Sequence, residues 1–425
     1  MSYSEQMLQH LASGKIKEAH RDFHLAMSHD SDDMLFNLAE RLYENGFLDF
    51  AKKLYEGLLK KYPQEDELRT ALAEIAIDND DNDTALNYLA DVSPDSDSYL
   101  QSLLVAADLY QTEGEMEVTG QKLREAYRIA PDEPAVIFAL AEYYYLIGQF
   151  DKAIPYYFTL IKTGNRTFDK VDIAGRLGMA YAQSGQYKTA IGYLKQVEPQ
   201  YQTSDVRFQT GLTQLALKQY DEAKATLSQL IKDDHSYTSS YSALARVYAA
   251  QNDYDTALKT IQEGLGVDEY NEHMYAQGAD YASHLGDTKT MAKYLTKAHQ
   301  LAPDNMSITL SLSNFYIDQK QHLDNINLLS PLIKDQAVDP QVYWNLARSY
   351  QATDQLEMAK QYFEAAKPAY SKDQTFLQEL ANLYQETGDV ESLGAVLKKY
   401  VKLFPADSAM AQRLDEWQDL HDQQQ

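Results

Sequence analysis

The 425-residue sequence contains no cysteine, which excludes disulfides and thiolate metal sites and is compatible with a reducing compartment. It is also short of positive charge, with 38 lysines and arginines against 64 acidic residues and a formal net charge of −26. That balance speaks against a phosphate-binding surface spread along the chain, so nucleic acid is not an expected partner. It favours basic or neutral partners and keeps the chain dispersed in water. No apolar run approaches the roughly 18 residues that a membrane-crossing helix requires. The opening MSYSEQMLQHLASGKIKEAH has no basic stretch followed by an apolar one, so neither a signal peptide nor a membrane anchor is expected. The chain reads as cytoplasmic. A P-loop and a G-x-S-x-G elbow are both missing, and Gly264-Leu265-Gly266 ends a helical pattern rather than opening a strand–turn–helix unit.

What is present is a spacing. Thirty-four residues separate Ala51 from Ala85, Ala107 from Ala141, Ala223 from Ala257, Ala347 from Ala381, and Tyr110 from Tyr144. A length of this size would ordinarily suggest two or three globular domains. A repeat instead lets a chain bury its core between neighbouring units, and 44% hydrophobic residues are ample for that. One small-residue place falls at Met7, Ala39, Ala73, Ala107, Ala141, Gly178, Gly211, Ala245, Ala279, Ser313, Ala347 and Ala381. A second, twelve further on, falls at Ala19, Ala51, Ala85, Thr119, Ala153, Ala190, Ala223, Ala257, Met291, Asn325, Ala359 and Leu393. Small side chains at both places let two helices of a hairpin approach to the usual 8–10 Å or so between axes. Ile137, Leu140, Ala141 and Tyr144 form an i, i+3, i+4, i+7 stripe, as do Tyr343, Leu346, Ala347 and Tyr350. Between the helices stand residues that tolerate a left-handed backbone: Gly14, Gly46, Asp80, Gly114, Gly148, Gly185, Asn252, Gly286, Asp354 and Gly388. Pro63, Pro131, Pro303 and Pro405 close second helices.

These places together resemble the tetratricopeptide repeat family over roughly residues 3–407, and the layout is similar to cytoplasmic all-repeat proteins of Gram-positive bacteria. The resemblance implies an all-α fold, a right-handed superhelical solenoid of about twelve helix–turn–helix units. Ser408 to His421 is expected to form a capping helix, with Met410, Leu414, Trp417 and Leu420 on one face. The step from Ala141 to Gly178 is 37 residues, so Lys162 to Asp169 holds a three-residue insertion. It reads as a surface loop or as a hinge. The hinge reading divides the chain into an N-terminal sub-array at 1–164 (repeats 1–5), a C-terminal one at 165–407 (repeats 6–12), and a cap with a polar tail at 408–425. The tenth repeat, with Ser313, Asn325 and Pro331, departs furthest from the pattern and is expected to kink at its proline.

Chemistry-bearing clusters are few. His20 and His24 are four apart on one helix but lack the intervening glutamate and a third ligand. The run Asp78-Asn79-Asp80-Asp81-Asn82-Asp83 lacks the glycine and closing glutamate of a calcium loop and falls where each repeat turns. No catalytic residue, cofactor or metal is expected, because the repeats consume the chain.

In the resembled family the first helices line an inner face on which partners lie. Its ninth place here reads Glu40, Glu74, Asp108 and Glu142, then Met179, Leu212, Arg246, Asp280, Asn314, Arg348 and Asn382. An acidic N-terminal groove follows as an expectation, suited to a protein or peptide with basic residues. The same carboxylates also read as solvated or paired with neighbouring cations. Phe36 and Tyr43 flank Glu40, and Phe138 and Tyr145 flank Glu142, joining aromatic area to charge. A second candidate patch comprises Asn314, Trp344, Asn345, Arg348 and Asn382; asparagines can both donate to and accept from a peptide backbone. It does not match the family's clamp for a C-terminal carboxylate, since Leu310, Thr375 and Glu379 stand at places that need lysine or arginine. The leading expectation is a non-enzymatic scaffold or adaptor. The alternative is a receptor for a short regulatory peptide that acts through a separate effector protein.

Overall fold

A computed structural model describes residues 2–168, 170–334 and 339–422. Helices follow one another as antiparallel pairs joined by tight turns, from Tyr3–Ala12 with Ile16–His29 to Gln374–Glu386 with Val390–Leu403, and end with Ser408–Asp422. The chain divides into two compact units, Met1–Lys218 and Gln219–Gln425. That boundary does not coincide with the expected division at 164, and the insertion lies inside the first unit.

The two small-residue places are where the helices of each pair touch. All twelve residues at the first place are buried, and so are all at the second except Met291 and Leu393, which are half-buried. The turns also follow the sequence: each of the ten expected turn residues has a positive φ, between 57° at Asp80 and 81° at Gly114. Aspartates then restart the chain. The carboxylates of Asp81, Asp253, Asp287 and Asp389 accept from the backbone N–H three residues on, which caps the second helix. The acidic run at 78–83 is therefore a helix end, a left-handed residue and a cap. Lys218 and Lys320 turn the chain in the same way, with φ of 59° and 58°.

In the first unit, first helices also pack against the next first helix, as Tyr3–Ala12 does on Asp32–Glu44 and Asp66–Asp78 on Tyr99–Thr112. In the second unit Ser239–Ala250 packs on Glu272–His284 and Met306–Asp318 on Pro340–Ala352. Within each unit the first helices thus share a face, which is what positions a groove.

Three departures from the pattern have physical reasons. The insertion is not an irregular loop: Thr167–Phe168 and Val171–Asp172 pair as a short antiparallel hairpin, so the chain is not purely helical, while Asp169 lies outside the described residues. In the tenth pair the second helix stops at Leu329, and Pro331 sits in a 3-10 turn, Ser330–Lys334, instead of kinking an α-helix. Asn325, standing at a core alanine place, is fully buried and is held by donating Nδ2 to Asn345 O at 3.1 Å and Ser349 Oγ at 2.8 Å. At the C-terminus, Met410 is buried and Leu414 and Trp417 pack on the last pair, whereas Leu420 is exposed.

Candidate partner-binding groove

Ser31 caps the helix Asp32–Glu44, its side chain accepting from Met34 N–H. Residues 36, 40 and 43 then fall on one side of that helix, at the 3.6-residue period, with Leu35, Leu38, Ala39 and Leu42 turned into the core. The next first helix, Asp66–Asp78, brings Glu74 alongside. Phe36, Glu40, Tyr43 and Glu74 consequently line one open cleft of about 630 Å³, together with Glu44, Tyr55, Glu67, Ala71, Asp97 and Gln101. A smaller cleft of about 320 Å³ continues from it past Phe36 and Glu67 to Asp32, Asp33 and Tyr62. Among the described residues no lysine or arginine lines either cleft, although Asp32 in the smaller one is ion-paired with Lys61.

The charges in the large cleft act on one another. Burial, and then Asp78, raise the pKa of Glu74 above the usual carboxylate value, although Gln101 Nε2 donates to Glu74 Oε1 at 2.9 Å. Burial raises the Tyr55 phenol, with Glu40, Glu74 and Glu67 adding to it. Tyr43 is raised by burial, by a hydrogen bond with Asp78 and by the Asp78 and Glu74 charges. Burial opposes charge of either sign, but the contributions of Glu40, Glu67, Glu74 and Asp78 show that negative charge is concentrated here. Asp108, the third residue of the acidic row, is exposed and stands outside this cleft.

The fourth acid is placed differently. Glu142 is paired with Arg176, Nε to Oε1 at 3.0 Å, and accepts from the Tyr157 hydroxyl. The Arg176 guanidinium lies 5.4 Å from the centre of the Tyr145 ring. Burial raises the pKa of Tyr145. Phe138 is covered by Phe168 of the hairpin, the rings stacked at 4.5 Å and 24°. Phe138, Glu142 and Tyr145 are thus brought together, but their contacts are made within the chain.

The second candidate patch is largely internal as well. Asn345 is fully buried; its Nδ2 donates to Ser313 Oγ and Asn314 Oδ1, both at 2.8 Å, and its Oδ1 accepts from Gln341 Nε2 at 2.8 Å. Trp344 is buried against Tyr370 and Phe376 and donates Nε1 to Glu379 Oε2 at 2.7 Å. Arg348 stacks over that indole at 4.3 Å and grips Glu379 with two 2.8 Å bonds. Asn314 and Asn382 are exposed, and Asn382 Oδ1 accepts from Arg413 at 2.9 Å. As corrections to the sequence reading, Trp344 and Asn345 are core residues, and Arg348 is engaged by Glu379.

Sequence reasoning missed Glu44, Glu67, Tyr55 and Asp97 as cleft residues. Glu44 and Glu67 lie on the first helices that the family resemblance places at the inner face, so a signal for them existed. Tyr55 comes from a second helix and Asp97 from a connection, which a reading of first helices does not reach.

Comparison with known proteins gives family-model matches at residues 340–407 to "YpiA-like, C-terminal tetratricopeptide repeats" and at 111–165 to "YpiA-like, tetratricopeptide repeats". Residues 4–115 match a "Tetratricopeptide repeat protein 21 ARM repeat" model. The chain is 33% identical over 386 residues to the TPR repeat-containing protein YpiA of Bacillus subtilis, covering 91% of this chain and 90% of that protein. It is 24% identical over 205 residues to human tetratricopeptide repeat protein 21A, covering 47% of this chain and 15% of that protein. Among solved structures it is similar to the APC/C hetero-tetramer Cut9–Hcn1, with a TM-score of 0.40 and 12% identity, over 97% of this chain and 95% of that one.

Proposed function

Because the chain belongs to the YpiA-like family of tetratricopeptide-repeat proteins, we propose that it is a non-enzymatic scaffold that holds a segment of a protein partner against the first helices of its second to fourth repeats. The observation that carries this reading is the shared cleft of Phe36, Glu40, Tyr43 and Glu74. Aromatic walls supply contact area with few rotors to immobilise, and carboxylates without a lining cation set the sign of what is recognised. The partner segment is therefore basic, and its docking adds the positive charge that the cleft lacks. Rim carboxylates of this kind mainly raise the rate of encounter and reject acidic partners. Among the described residues no helix is long and apolar enough to cross a membrane, so the reading needs no membrane span.

The test is capture of partners from native lysate on the immobilised full chain, compared with a Phe36→Ala, Glu40→Gln, Tyr43→Ala variant whose helicity is checked by circular dichroism. Partners retained by the parent and lost from the folded variant support the cleft. An unchanged set of partners on the variant rules it out.

A further inference from the structure

The cleft contains a set of residues that the chain uses twice. Phe36, Glu40, Tyr43 and Tyr55 recur 102 residues later, three repeats on, as Phe138, Glu142, Tyr145 and Tyr157, with the same residue type at all four places. The two repeats between them do not carry it: the equivalent places are Thr70, Glu74, Ile77 and Leu89, then Leu104, Asp108, Gln111 and Leu123. Tyr55 and Tyr157 are both buried within reach of their glutamates' charge, and Tyr157 also donates to Glu142, whereas Tyr55 meets Phe36 edge-on.

The second copy is occupied by the chain itself. Phe168 of the hairpin stacks on Phe138. Arg176, from the following first helix, ion-pairs with Glu142 and lies over the Tyr145 ring. The first copy has neither group. The residue that matches Arg176 in the repeat after Phe36 is Ala71, once the three inserted residues are discounted, and Ala71 lines the open cleft. No hairpin follows the helix Leu48–Lys61, since Asp66 already begins the next one. The cleft is therefore open at the places where the second copy holds a guanidinium and an aromatic ring.

We infer that the first copy takes from its partner the two groups that the chain supplies to the second: an arginine guanidinium between Glu40 and Tyr43, and an aromatic ring on Phe36. Arginine is specified over lysine because a planar guanidinium can pair with a carboxylate through its edge while its face lies on a ring. The inference rests on the proposed use of this cleft and adds the chemistry of what enters it.

The probe is a set of fluorescein-labelled glycine–serine peptides, each with one arginine and one phenylalanine separated by zero to four residues, titrated against the full chain by fluorescence anisotropy. At least one spacing binds one-to-one, and replacing its arginine by citrulline weakens it by on the order of tenfold or more, as loss of a charge-assisted bond should. Replacement by lysine weakens it less. Glu40→Gln, which keeps side-chain size, removes the preference for arginine over citrulline. Ala71→Arg fills the first copy from within and abolishes peptide binding. Phe168→Ala with Arg176→Ala opens the second copy and raises the stoichiometry to two. Failure of every spacing to bind, or binding indifferent to citrulline, to Glu40→Gln and to Ala71→Arg, overturns the inference. If lysate partners are lost from the cleft variant while no peptide binds, the scaffold reading stands and this inference falls. If the peptides bind as described while lysate partners ignore the cleft variant, the reverse holds.

Discussion

The indole of Trp417 fills the space above Gly394: a β-carbon on that glycine would lie 2.1 Å from Cζ2 of the ring. The same indole donates Nε1 to Val390 O at 2.9 Å, and the Lys398 ammonium stands 4.9 Å from its ring centre. The terminal helix is seated on the last repeat through this contact. An apolar end face of a solenoid has to be covered in some such way.

Gly394→Ala is expected to unseat the cap. Alanine is intrinsically better in a helix by about 1 kcal/mol, but the ring must move away, and overpacking of this kind costs about 1–3 kcal/mol. Trp344 and Trp417 are the two tryptophans of the chain, so in a Trp344→Phe background the emission reports the cap alone. A red shift and faster proteolysis within 408–422 are expected; unchanged emission with a raised melting temperature would contradict the model of a seated cap.

Glu379 joins Trp344 and Arg348 in one internal contact, accepting once from the indole and twice from the guanidinium. Glu379→Ala leaves these donors without their acceptor and is expected to cost about 1–3 kcal/mol. Glu379→Gln, which keeps one acceptor, costs less. Thermal unfolding followed by circular dichroism orders the three proteins as parent, Gln variant, Ala variant; equal midpoints would show that the bonds add nothing to stability.

The acidic cleft gives stability a pH dependence of definite sign. Glu74 has a folded-state pKa above its ordinary 4.5, through burial and the Asp78 charge. Between these two values the folded state binds more protons than the unfolded one, so stability falls as pH rises through that window. Glu74→Gln keeps a partner for Gln101 and removes the charge. It is expected to raise the melting temperature at pH 7, and the gain should disappear below pH 4.5. A variant less stable than the parent at pH 7 would refute the assignment.

Lys320 adopts φ of 58° in the turn after the helix Met306–Asp318. A side chain in that region costs about 1–2 kcal/mol, part of which glycine returns through its freer unfolded chain. Lys320→Gly should therefore stabilise by roughly 0.5 kcal/mol, and a lowered melting temperature would count against it.

The lysine turns mark a limit of sequence reading. Gly14, Gly46 or Asn252 announce a left-handed turn by their own conformational preference, whereas Lys218 and Lys320 are forced into one by the helices on either side. Asparagines show the same limit for sites. Asn345 looks like a ligand-holding residue on a groove helix, yet it is buried because Ser313, Asn314 and Gln341 offer it partners from within. Hydrogen-bonding capacity is a property of the residue, but who uses it depends on neighbours distant in the chain.

The period, the small-residue places, most of the turns and the acidic row were determined by the sequence alone, because each depends on contacts between residues within one repeat or between adjacent ones. Phe36-Glu40-Tyr43 and Phe138-Glu142-Tyr145 are indistinguishable at that level. Only the tertiary structure decided that one is an open cleft and the other is filled. Phe168 reaches Phe138 through a hairpin formed by the insertion, and Arg176 reaches Glu142 from the next repeat, where Ala71 leaves the equivalent space open.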